Sequence, residues 1–159
     1  RNAGTNIYGS RVLHQIQGTI SAFSTKIGGV SFASAGMTCR ACQKEGFRYV
    51  TATAVAPDRH PGMLPGASEL KVKLVFADRS VIILGGQVSG GPSAGELINM
   101  IALAIQKKVT VRELDMLQIA THPLLTSAPT VHPLINAAHQ ALAKLRATIR
   151  ELPVLKKVA

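Results

Sequence analysis

The chain has 159 residues and a mass of 16.8 kDa, room for one domain with a stray helix at an end. With 47% hydrophobic and 16% charged residues and a mean hydropathy of +0.23, it is too apolar for a disordered chain and carries more apolar surface than a self-sufficient small monomer needs. Its 18 basic and 8 acidic residues give a net charge of +10, and its longest apolar stretch, Leu97 to Ile105, is about half the ~20 residues of a bilayer span, so no membrane partner is expected.

The first twenty residues hold Arg1, Asn2, Thr5, Asn6 and Arg11 and no apolar run, so no signal peptide is expected. Two cysteines do not make a secreted disulfide framework, and a cytoplasmic location is the expectation. The chain opens on Arg1, and Asn2-Ala3-Gly4-Thr5-Asn6 reads like a helix end running into a turn, as in a piece cut from something longer.

Residues 1–16 read as the tail of a helix and then loop. Residues 19–35 are rich in Thr, Ser, Val, Ile and Phe around Gly28-Gly29, which predicts two short strands joined by a turn. Thr38 stands at an N-cap, and Cys39 to Glu45 predict two short helical turns ended by Gly46. Phe47 to Ala56 alternates with aromatic and β-branched residues, as a strand does. Residues 57–68, with three prolines and two glycines, predict a loop. Glu69 to Ala77 alternates Leu70, Val72, Leu74 and Phe76 against Lys71 and Lys73. After the polar turn Asp78-Arg79, Ser80 to Val88 is nearly all apolar, predicting a strand covered on both faces and paired antiparallel with the one before it.

Ser93-Ala94-Gly95-Glu96 has the spacing of a capping box. Leu97, Ile98, Ile101, Ala104 and Ile105 follow at helical spacing. Met100 and Leu103 widen the apolar surface, so this helix is expected to be buried on several sides. Lys107 and Lys108 suit the helix C-terminus. Thr110 to Glu113 is a second capping box, opening a short helix through Leu117. Residues 119–130 are irregular. A last helix is expected from Val131 to about Arg150, with Pro133 in its first turn, a stripe of Val131, Leu134, Ile135, Ala138, Leu142, Leu145 and Ile149, and a stop at Pro153. The order gives an α+β fold, an antiparallel β-sheet with helices packed on it, without internal repeats.

Chemical signals are sparse. Of the basic residues only Lys144, Arg146, Arg150, Lys156 and Lys157 cluster, and aromatics are 4% with no Trp, so nucleic acid binding is disfavoured and the charge reads as solvated surface. Cys39-Arg40-Ala41-Cys42 is a CxxC in the first turns of a helix, where a redox pair is chemically feasible, but no second Cys pair completes a zinc site. His132 and His139 are seven apart on one helix, about 10 Å of rise, and cannot share a metal ion. His122, before Pro123 in the irregular segment, is the histidine best placed for chemistry. Gly85, Gly86, Gly90, Gly91 and Gly95 match neither dinucleotide nor P-loop spacing, so no cofactor site can be argued within the chain.

The run Leu70-Lys71-Val72-Lys73-Leu74-Val75, then Ile83-Leu84-Gly85-Gly86-Gln87-Val88, Gly95-Glu96-Leu97-Ile98-Asn99 with Ile101-Ala102-Leu103-Ala104-Ile105, Thr110-Val111-Arg112-Glu113-Leu114 and His122-Pro123 resembles the C-terminal dimerisation domain of the FAD-dependent pyridine nucleotide-disulfide oxidoreductases. Upstream, Ala35-Gly36-Met37-Thr38 before Glu45-Gly46-Phe47 matches the same domain. Pro57-Asp58-Arg59 and Pro65-Gly66-Ala67 resemble its NADH oxidase and CoA-disulfide reductase branch. The resemblance weakens after about Leu145.

This likeness implies residues 1–16 as the remnant of a preceding FAD-domain helix and linker, 17–150 as the dimerisation domain and 151–159 as a basic tail. It implies a homodimer, with FAD and NAD(P)H held by other domains of a parent oxidoreductase, and residues lent to the partner's active site rather than catalysis alone. His122 is the catalytic candidate, from a His-Pro-Thr-x-x-Glu motif in which this chain has Leu124 for the Thr and Ser127 for the Glu. The expected interface centres on Leu97, Ile98, Met100, Ile101 and Ile105. Cys39 and Cys42 do not match the family's redox cysteines. Two other readings stay open: a free-standing basic protein binding an anionic ligand such as CoA or nucleic acid, and a CxxC thiol oxidoreductase.

Overall fold

In the computed structural model, which describes Ile7 and residues 18–151, the chain order is β1 (Ala22–Ile27), β2 (Val30–Gly36), α1 (Cys39–Lys44), β3 (Tyr49–Pro57), β4 (Glu69–Ala77), β5 (Ile83–Gly90), α2 (Ala94–Gln106), α3 (Val111–Asp115), a short 3-10 turn (Pro129–Val131) and α4 (Pro133–Glu151). The five strands form one antiparallel sheet in the order β1-β2-β5-β4-β3. This is the α+β architecture expected. The expected helix remnant and the basic tail lie outside the described residues, apart from Ile7 and Glu151, and so does the side chain of Ile149.

Helices α2 and α4 cover one face of the sheet, α2 over β5, β2 and β1, and α4 over β3 and β4. Register decides which residues meet them. Leu70, Val72 and Leu74 of β4 pair with Ala56, Ala54 and Ala52 of β3, and all six are buried. The alternation in β3 therefore buries its alanines, while Tyr49, Thr51, Thr53 and Val55 take the opposite face. Small residues let α4 come close, and its Ala137, Ala138 and Ala141 join Leu134, Leu142 and Leu145 in the core.

Several element ends and faces depart from the sequence reading. Phe47 precedes β3 because its N–H closes α1 on the Cys42 carbonyl at 2.9 Å. Ser80 and Val81 belong to the turn before β5, where the Val81 N–H reaches the Ala77 carbonyl at 3.1 Å. β5 is central, but its second face is covered only in part. The Met37 backbone crosses Gly85, whereas Gln87 and Ser89 are half-buried. A Cβ on Gly85 would overlap the Met37 carbonyl, and one on Gly86 would meet Ile101 Cγ2 at 2.9 Å, so both glycines answer close approach.

The Ser93 capping box does not form. Ser93 has helical dihedrals (φ −60°, ψ −14°), and its hydroxyl donates to Asp58 Oδ2 at 3.4 Å. Within this chain α2 is buried on one side only, since Met100 and Leu103 are 38% and 54% exposed. The Thr110 box forms in full: Glu113 N–H donates to Thr110 Oγ1 (3.3 Å) and Thr110 N–H to Glu113 Oε2 (2.7 Å). The Thr110 N–H and hydroxyl, both donating to Glu113 Oε2 at 2.7 Å, hold the Glu113 carboxyl below its ordinary pKa. α3 ends at Asp115, short of Leu117, and α4 begins at Pro133 after the 3-10 turn that takes in Val131.

Candidate functional site

The segment from Met116 to His132 links α3 to α4 and meets the loop after β3 at the N-terminal end of α2. Its centre is a tight turn at His122. The His122 carbonyl accepts from the N–H groups of Leu125 and Thr126, both at 3.0 Å, and the His122 N–H donates to Thr126 Oγ1 at 3.1 Å. The ring is fixed as well: Nδ1 accepts from the Leu124 N–H at 3.2 Å. With Nδ1 an acceptor, the neutral ring carries its proton on Nε2 and presents an exposed N–H donor. A backbone group thus orients His122. Ser127, where the resembling motif has Glu, points elsewhere and donates to the Pro57 carbonyl at 2.6 Å.

Two more bonds hold the neighbouring loop. The His60 N–H donates to the Pro123 carbonyl at 3.0 Å. Asp58 Oδ1 accepts from the Ser68 N–H at 2.7 Å, and its other oxygen takes the Ser93 hydroxyl. The described residues include three buried polar side chains, Asp58 (7% exposed), Ser127 (3%) and His132 (7%). All three line one cavity of about 510 Å³, walled also by Leu70, Leu97, Met100, Leu117 and Leu125. His132 Nδ1 is buried without a hydrogen-bond partner. Burial holds its pKa below the ordinary histidine value, because an imidazolium there would lose its hydration. The cavity is a mostly apolar socket with a carboxylate at one wall and a neutral imidazole at another. It suits an apolar side chain or molecule bearing a hydrogen-bonding group.

The residues singled out in the sequence separate. His122 lies in the turn that supplies Leu125, Thr126 and Ser127 to the cavity wall, and is itself exposed. Leu97, Ile98 and Ile101 are spent in the chain's own core and Ile105 is half-buried, so Met100 offers the most surface of the five interface candidates. His139 is far from sharing anything with His132: it pairs with Asp115 at 2.9 Å. Among the described residues no group of three or more His, Cys, Asp or Glu is placed to hold a metal, and no helix is long and apolar enough to cross a membrane. Nothing in the sequence joined Asp58 and His132 in a common site. Asp58 sat in a loop defined by its prolines, and nothing local marks His132 as buried.

An antiparallel sheet with two helices on one face and an oriented histidine turn at its rim defines an α+β domain. The family model for the pyridine nucleotide-disulphide oxidoreductase dimerisation domain matches residues 4–133, and the chain belongs to that family. An NADH oxidase of Methanocaldococcus jannaschii is 31% identical over 144 residues, 90% of this chain and 31% of that protein. An NADH oxidase of Mycoplasma genitalium is 30% identical over 118 residues, 74% of this chain and 24% of that protein. Among solved structures, a NAD-dependent persulfide reductase from A. fulgidus superposes with a TM-score of 0.79 at 30% identity, covering 91% of this chain and 26% of that one. The reduced Bacillus anthracis CoADR-RHD shares the fold, with a TM-score of 0.79 at 23% identity over 91% of this chain and 25% of that one. The chain therefore spans less than a third of the length of these relatives.

Proposed function

We propose that the chain is the dimerisation part of an FAD-dependent NAD(P)H oxidoreductase, in which it pairs with a second copy of itself and lends the 117–132 segment to the partner's active site. In this reading FAD and NAD(P)H are held by the parent enzyme's other domains, the chain is not catalytic alone, and the enzyme works in the cytoplasm, where its nicotinamide substrate resides. The carrying observation is the apolar surface left open around the cavity. Met100 and Leu125 both line it, at 38% and 73% exposure, although single-chain packing has buried Leu97, Ile98 and Ile101 of α2. The family's description as a dimerisation domain supports pairing with a partner subunit. The cavity walls argue against an anion binder, since they bear the carboxylates of Asp58 and Glu96 and no lysine or arginine.

Sedimentation over a concentration series tests the reading. The expected result is a dimer whose dissociation constant rises about tenfold or more, roughly 1.4 kcal/mol, in Met100→Glu and in Leu125→Glu. A wild-type protein that stays monomeric at the highest concentration overturns it.

A further inference from the structure

Helix α1 carries both cysteines of the sequence, and neither the dimer surface nor the His122 turn uses them. Both are free thiols, and they differ in access: Cys39, the first residue of the helix, is half-buried, while Cys42, one turn on, is fully buried. Positions three apart on a helix place their Cβ atoms about 5–6 Å from each other. A disulfide needs about 3.5–4.5 Å, so about 1.5 Å of movement closes the gap. The geometry permits that movement at Cys39, whose N–H belongs to the first turn and has no intrahelical bond to break. Cys42 is held, with its N–H on the Thr38 carbonyl and its carbonyl accepting from Phe47, both at 2.9 Å. Burial first, and then the nearby charge of Cys39, raises the pKa of Cys42. Among the described residues no further His, Cys, Asp or Glu joins them in a group of three that could hold a metal ion.

We propose that Cys39 and Cys42 form a reversible dithiol–disulfide site that reacts with small-molecule disulfides, Cys39 as the entering thiol and Cys42 as the resolving one. The Cys39 thiolate attacks one sulfur of the small disulfide. A mixed disulfide forms, the small S–S bond breaks, and one small thiolate leaves and takes up the proton Cys39 gave to solvent. Cys42 then loses its proton and attacks Cys39 Sγ, forming the Cys39–Cys42 bond and expelling the second small thiol. The protein loses two electrons and two protons, and the small disulfide becomes two thiols. Exposure dictates the order, because a fully buried sulfur cannot meet the incoming disulfide first.

Arg40 lies between the two cysteines, which gives a direct readout. The folded protein is treated with oxidised glutathione, its remaining thiols are alkylated, and it is cut with trypsin without reductant. Cleavage after Lys26, Arg40 and Lys44 gives peptides 27–40 and 41–44, which stay joined only through a Cys39–Cys42 disulfide. The joined pair should appear with oxidised glutathione and disappear with dithiothreitol. Cys42→Ala should trap glutathione on peptide 27–40, and Cys39→Ala should leave peptide 41–44 unmodified. Two separately alkylated wild-type peptides, or glutathione persisting on wild-type peptide 27–40 without the joined pair, overturn the proposal with no reliance on a variant that must fold.

Discussion

His132 shows what a single buried side chain contributes. Its folded-state pKa lies below the ordinary value because the imidazolium is desolvated. The unfolded chain therefore takes up the proton first as pH falls through ~6.5, and in that window the unfolded state binds more protons than the native one. The stability tied to a neutral His132 is complete above ~6.5 and is lost as pH falls towards the folded pKa. Urea denaturation between about pH 7.5 and about pH 5.5 should show wild-type stability falling with acidity and His132→Gln falling less; equal slopes would assign the effect to other groups. None of this was legible in the sequence, which offers His132 and His139 as a matched pair on one helix. The sheet and the loop after β3 bury one and leave the other on Asp115. His122 was singled out in the sequence through its neighbour Pro123. Its true orienting group was not, because a backbone N–H two residues on has no signature in residue type.

Elements were easier to read than their ends. β4 runs from Glu69 to Ala77 as its alternation states, since four apolar residues on one face against two lysines on the other admit no slip of one residue. The start of β5 was misjudged because Val81 and Ile82 are as apolar as the strand, and what sets them apart is the Val81 N–H on the Ala77 carbonyl, the Val111 N–H on the Val81 carbonyl and the isolated bridge of Ile82 with Thr110. The two capping boxes make the same point. Both sequences fit, yet only Thr110 has extended dihedrals (φ −84°, ψ 162°), while Ser93 is drawn into the helical region with its hydroxyl on Asp58. Thr110→Ala should cost about 1 kcal/mol in chemical denaturation, the usual value of a lost cap, and Ser93→Ala distinctly less. A Ser93→Ala cost equal to that of Thr110→Ala would show that the long bond to Asp58 serves as a cap in all but geometry.

At the scale of the molecule, excess hydrophobicity pointed towards a partner, but the residues expected to meet it are mostly committed inside. Leu97, Ile98 and Ile101 face the sheet because β2 and β5 offer Ala33, Ala35 and Gly86, a shallow bed into which α2 settles. On α2, Met100 and Leu103 remain outside, and so does the turn from His122 to Leu125. If that turn reaches a partner's chemistry, His122→Ala in the parent enzyme should lower kcat about 10²-fold, the smaller end of what an acid–base group supplies, with the dimer intact by sedimentation. An unchanged kcat would limit the turn to assembly.

The strand order has a consequence for how the chain reaches this state. β1 and β2 close on each other through a two-glycine turn, and β3, β4 and β5 form a meander of neighbours. Only one seam joins the two sub-sheets, residues 31–36 of β2 against 85–90 of β5. It closes across the whole intervening stretch, at the largest loop-closure entropy in the sheet. The hairpin and the meander can zip up early, but the chain waits on that seam to become one sheet. Met37 latches it, its N–H meeting the Leu84 carbonyl at 2.9 Å just beyond the end of β2. The slow step of folding is thus expected at this seam, where two locally assembled halves must find each other and Gly85 puts no side chain in the way of Met37.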